Sequence, residues 1–211
     1  MRLGAALLAL FCLAACGPRF LPEAQSLASL KPGEVILVGK VELVPPLDKD
    51  EQDLDWGAGG LRGKIYLFAG DKWRDVDTTP GFGLNRELDD GIEAVLGETF
   101  FVQSPHRPFV LLLSMVILNL RAYATGPRSS AVDTDYLFFP GGLQVSVQPG
   151  DKALYLGTIR YHRDEFFETK KIEVADDFGK AQAAFQKKFG GKVSLRKSLA
   201  VPLSKPAGKK K

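Results

Sequence analysis

A chain of 211 residues with 45% apolar and 25% charged side chains has the composition of a folded soluble domain, which excludes wholesale disorder. Two cysteines exclude a disulfide scaffold and a Cys-rich zinc protein, and a net charge of +3 excludes a strongly basic nucleic-acid binder. The 22 glycines and 13 prolines favour turns over long helices. In chain order, residues 1–16 read MRLGAALLALFCLAAC, in which Arg2 precedes an uncharged stretch from Leu3 to Ala15. Thirteen residues at about 1.5 Å rise cover only about 20 Å, short of the roughly 30 Å hydrocarbon layer, so the segment reads as a cleavable leader rather than a transmembrane helix.

The end of this leader, Leu13-Ala14-Ala15-Cys16, resembles the lipobox of bacterial lipoproteins, in which small residues precede a cysteine. The resemblance implies that the Cys16 thiol is joined to diacylglycerol and that the chain is cut between Ala15 and Cys16. Cys16 would then begin the mature protein, carrying fatty acyl groups such as palmitate. Each buried methylene is worth about 0.8 kcal/mol, so the two or three chains such proteins carry hold the membrane stably. Gly17 stands where lipoproteins retained at the inner membrane often have Asp, so the resemblance implies the outer membrane, facing the periplasm. Cys12 would leave with the leader, and no intrachain disulfide is then possible. No cofactor is expected beyond the covalent lipid on Cys16.

Residues 17–32 are bounded by prolines and carry little apolar mass, so the lipidated Cys and tether are expected over 16–32, with one short helical turn after Pro22. As flexible chain this segment would reach about 20–25 Å and hold the folded body clear of the headgroups. A β-rich domain is expected over 33–195. Its first strand, Glu34 to Val44, places Val35, Leu37, Val41 and Leu43 on one face and stops at Pro45-Pro46. Further strands are expected at Lys64 to Ala69, Thr99 to Gln103, Tyr136 to Phe139, Leu143 to Gln148, Ala153 to His162 and Thr169 to Ala175, with Gly/Pro/Asp clusters between them. The run from Pro108 to Tyr123 is almost continuously apolar. Its β-branched residues Val110, Val116 and Ile117 and its Pro/Gly flanks favour a central strand over a buried helix.

One helix is expected near 177–189. Asp176 or Asp177 caps it, Phe178, Ala181, Phe185 and Phe189 recur at helical spacing, and Gly190-Gly191 supplies the stop. A short strand from Lys192 to Leu195 follows. The tail, 196–211, has six basic and no acidic residues and is expected to be disordered. The fold class is therefore mainly β, an antiparallel β-sandwich-like domain with one C-terminal amphipathic helix. Within it, Leu154-Tyr155-Leu156-Gly157-Thr158-Ile159, preceded by Pro149-Gly150-Asp151, is similar to a strand of envelope β-sandwich lipoproteins resembling transthyretin-like or carboxypeptidase-regulatory-like domains. In such a strand Gly157 lets another chain element sit close.

Reactive constellations are scarce. There is no H-E-x-x-H, C-x-x-C or G-x-S-x-G, and outside the leader the histidines are His106 and His162, the latter expected as a rim residue hydrogen-bonded to a neighbour. Asp48, Asp50, Glu51, Asp53 and Asp55 offer oxygen ligands, but the spacing from Asp48 does not fit an EF-hand, and a solvated acidic turn is expected. Gly57, Gly59, Gly60 and Gly63 lack the order of a phosphate cradle. Trp56, Trp73, Tyr66, Tyr155 and Tyr161 read as core or cross-strand residues rather than a stacking face. No catalytic residue and no metal site is assigned; the site residues are Cys16 for lipidation and Ala15-Cys16 for cleavage. The expected role is a lipid-anchored, non-enzymatic envelope component that binds a protein or glycan partner and no nucleic acid. The alternative is a lipid-anchored hydrolase using paired carboxylates drawn from Asp133, Asp135, Asp164 and Glu165, whose separation would suit glycoside chemistry at about 5–9.5 Å.

Overall fold

A computed structural model describes residues 19–47, 64–70, 90–126, 129–139, 142–164, 169–191 and 193–203. The residues expected as leader, as an acidic turn before Trp56 and as a loop over Gly57–Gly63, together with Cys16, Trp73, Glu165 and the last eight residues, lie outside them. Twelve strands and one α-helix are present among the described residues: β1 (Arg19–Phe20), β2 (Glu34–Val44), β3 (Lys64–Gly70), β4 (Asp90–Val95), β5 (Thr99–Pro105), β6 (Phe109–Gly126), β7 (Ser129–Phe139), β8 (Gly142–Val145), β9 (Ala153–Arg163), β10 (Thr169–Ala175), α1 (Phe178–Phe189), β11 (Arg196–Lys197) and β12 (Val201–Leu203). The fold is mainly β with a single helix, as the patterning predicts.

The strands form two sheets. One has the order β1-β4-β3-β6-β8-β12, with β7 also on β6; the other has the order β10-β9-β2-β5, with β11 also on β9. Most pairings are antiparallel, but β1/β4, β2/β9 and β9/β11 are parallel, so both sheets are mixed. Parallel neighbours need long connections, and β2 and β9 are joined by most of the chain. Between the sheets lies an apolar layer that includes Val35, Leu37, Val41, Ile65, Leu67, Ile92, Leu154, Leu156 and Ile159.

A second apolar layer covers the other face of the β2/β9/β5 sheet. There Ile36, Val38, Phe101 and Tyr155 meet Ala181 and Phe185 of α1. Strand β2 is thus buried on both faces, which explains why its sequence EVILVGKVELV is nearly continuous in apolar residues over its first half. The expected helix is found at its predicted place, and its expected stripe is the buried one: Ala181 and Phe185 are buried, Phe178 and Phe189 partly so. Asp177 occupies the cap position, yet its side chain makes no capping bond. Asp176 Oδ1 instead accepts from the Phe178 N–H at 3.2 Å. Gly190, at φ 77°, ends the helix in the left-handed region.

At Gly157 the backbone has φ 106°, and a Cβ there would stand 2.4 Å from Val174 Cγ1 of β10. The close approach expected at this glycine is therefore real, and it coincides with the register shift between β2 and β9 opposite Gly39. The run expected as a central strand at 108–123 is β6, which pairs with β3 as far as Val116 and with β7 out to Gly126.

Three expectations change. The tether expected over 16–32 is, from Arg19 on, part of the body: β1 pairs with β4, the Ala24 N–H donates to Phe101 O at 2.8 Å, and Ala24 has no exposed surface. Low apolar mass does not keep this segment loose, because two small or apolar side chains, Leu21 and Ala24, suffice to fill the seam between two sheet edges. The tail expected to be disordered from 196 is ordered as far as Leu203. β11 lies on β9, β12 lies on β8, and Ser198 and Ala200 N–H donate to Tyr155 and Leu156 carbonyls on the way. These replace the strand expected at 192–195. Strand β4 was not foreseen, since DGIEAV carries only three apolar side chains and no clear alternation.

Candidate functional site

Charged side chains converge on the helix-facing side of the β2/β9/β10 sheet. Register places Glu42, Arg160 and Glu173 side by side on three neighbouring strands. Arg160 reaches Glu42 at 3.0 Å, Glu173 at 3.4 Å and Asp177 at 3.3 Å, so one guanidinium joins three strands to the helix start. Lys40 adds a second cation to Glu42, and Lys180 pairs with Asp177 at 3.3 Å. Lys40 chiefly holds the Glu42 carboxyl below its ordinary range, against burial that pushes it up, and Arg160 adds to the lowering. Lys180 chiefly does the same for Asp177, helped by the Thr158 hydroxyl and Arg160. The space these groups enclose is about 90 Å³, room for a few waters and below the roughly 300 Å³ of ordinary ligand pockets. Every charge is matched within the protein, and the arrangement fastens α1 to the sheet. Alternation of charge in Lys40/Glu42 and Lys171/Glu173 was its sequence signal.

Beside this row, the Tyr155 hydroxyl accepts from the Asp177 N–H at 2.9 Å and donates to Ala175 O at 3.5 Å. It belongs to the packing beneath α1, with its ring 5.8 Å from that of Phe178. Tyr161 lies in the layer between the sheets. Both tyrosines thus take the core role expected of them.

A recess of about 450 Å³ lies where the chain passes from one sheet to the other through the turn between β4 and β5. The Gly97 N–H in that turn donates to Val41 O at 2.8 Å, which holds the corner against β2. Phe20, Val95 and Phe100 supply apolar walls, and Glu23, Glu93 and Glu98 supply carboxylates. Glu23 also pairs with Lys188 of α1. Nothing in the sequence marks this recess, because β5 is joined in its walls by residues 20–23, expected as tether, and by β4, which has no local signature.

The residues considered for chemistry fall in several places, although Asp133 and Asp135, two apart on β7, share a face of that strand. Asp164 follows β9 and pairs with Lys170 at 2.7 Å. Asp133 and Asp135 stand on β7 of the other sheet, opposite Arg121 and Asn119 of β6. The His106 N–H donates to Gly33 O at 2.7 Å near the end of β5, and His162 Nε2 lies 3.3 Å from Glu173 Oε2 at the far end of β9. Among the described residues no three His, Cys, Asp or Glu side chains gather as metal ligands, and no helix is long and apolar enough to cross a membrane. Comparison of the chain with protein-family models, with curated proteins and with solved structures found no match.

Proposed function

We propose that the protein is a lipid-anchored component of a bacterial cell envelope, destined for the periplasmic face of the outer membrane, that works by binding rather than by catalysis. The observation that carries this reading is the apolar stretch ending in Leu13-Ala14-Ala15-Cys16, whose resemblance to a lipobox supports an acylated cysteine just ahead of the folded body. Two features of the body favour a binding role. The charged cluster around Arg160 is spent on internal ion pairs, and the outer edge of β7 has no partner strand among the described residues, which suits addition of a strand from a protein partner.

The test is to express the wild type and Cys16→Ala with labelled palmitate and to fractionate the envelope. Label on the wild type alone, with the variant lost from the membrane fraction, is the expected result. A wild type without label would sink the lipid-anchored reading. A specific envelope protein or glycan recovered by cross-linking through a photoreactive residue on β7 would support the binding role, and repeated failure to recover one would count against it.

A further inference from the structure

The order of residues 19–24 changes what an anchor at Cys16 can do. Arg19 is already paired with Asp90, and the Leu21 N–H donates to Gly91 O at 2.8 Å. Only Gly17 and Pro18 separate Cys16 from β1. Three steps of about 3.8 Å limit the distance from Cys16 to Arg19 to about 11 Å. The headgroup layer is itself roughly 5–8 Å deep on each side of the hydrocarbon. A body attached by so short a link cannot stand clear of the membrane; it rests on it.

The surface that rests there is set by the same residues. Phe20 is 46% exposed and Val95 38% exposed, two of the four large apolar side chains that are exposed among those whose burial the structure describes. Both border the recess at the β4–β5 corner. Phe20 lies over Gly91, where a Cβ would stand 2.9 Å from its ring, so the ring is held in place at the corner. Glu93 and Glu98 border the same recess, beside the Glu23–Lys188 ion pair. Carboxylates facing an anionic lipid surface would be repelled, whereas an ammonium headgroup meets both the carboxylates and the faces of nearby phenylalanines favourably.

We propose that the β4–β5 corner is the membrane-contacting surface of the protein. Phe20 and Val95 enter the headgroup layer of the membrane that holds Cys16, and the recess receives ammonium headgroups of zwitterionic aminophospholipid. This rests on the lipidated Cys16 reading.

The lipidated protein carries no other cysteine once the leader is gone, so single labels can be placed at Val95→Cys and, as a reference on α1, at Lys187→Cys. Each is reconstituted into vesicles of phosphatidylethanolamine and phosphatidylcholine, and quenching by aqueous iodide is measured. The expected result is severalfold weaker quenching at position 95 than at 187. A Gly-Ser insert of about ten residues between Pro18 and Arg19, reaching roughly 18 Å, should abolish the difference while palmitate incorporation persists. Replacing phosphatidylethanolamine by phosphatidylglycerol should also reduce it. Equal quenching at the two positions in protein that carries label overturns the proposal alone, as does an insert that changes nothing. Shielding that is unchanged in phosphatidylglycerol removes the headgroup preference. A protein without label overturns the lipoprotein reading and this proposal together.

Discussion

Tyr155 shows how one residue can serve two layers. Its ring is 1% exposed beneath α1, and its hydroxyl takes the Asp177 N–H just where the chain leaves β10 for the helix. Tyr155→Phe keeps the packing and strands that amide, so it should cost about 1–2 kcal/mol, read as a lower urea midpoint with an unchanged slope. The sequence placed Tyr155 correctly among core residues but said nothing of its hydroxyl, because the donor that meets it lies 22 residues away. Gly157 was more legible. A glycine within an otherwise β-favouring strand signals close approach, and only the identity of the neighbour, Val174, needed the structure.

Helix α1 was legible as an element because spacing of apolar residues, a preceding acidic pair and a following glycine agree with one another. What it covers was not legible. Phe185 is fully buried, with the Phe189 ring 4.9 Å away and Phe101 of β5 beyond it at 5.5 Å from Phe189. Phe185→Ala should therefore cost about 3–5 kcal/mol, a loss large enough to be seen as a fall in melting temperature and as loosened near-ultraviolet circular dichroism from the aromatic cluster. The strands divide in the same way. Thr169–Ala175 emerged with its predicted boundaries, whereas β4, which needs neighbours on both sides to become a strand at all, had no local signature.

At the scale of the whole molecule, both described ends of the chain fasten one sheet to the other. The first segment runs from β4 to the edge of β5, and the last runs from β9 to β8. The second fastening is closed by Arg196, which meets Asp151 through two bonds of 2.6 and 2.7 Å. Arg196 chiefly, with the Gln148 N–H, holds the Asp151 carboxyl below its ordinary 3.8. A carboxyl lowered on folding stabilises fully above its unfolded value and loses that contribution as the pH falls through its lowered folded value. Urea midpoints should thus drop on acidification below about pH 4. Arg196→Gln should cost about 1 kcal/mol at pH 7 after allowance for solvent screening, and its curve should converge with the wild type at the acid end. The sequence by itself determined the β-rich class, most strand positions and the helix, since these follow from composition and from patterns within a few neighbouring residues. Only the tertiary structure decided the parallel pairing of β2 with β9, the charge row around Arg160, the corner recess, and the capture of the segments 19–24 and 196–203 by the sheets. Those depend on groups far apart in the chain, and a segment such as Arg19–Ala24, too poor in apolar residues to order itself, is ordered by sheet edges that exist only once the rest has folded.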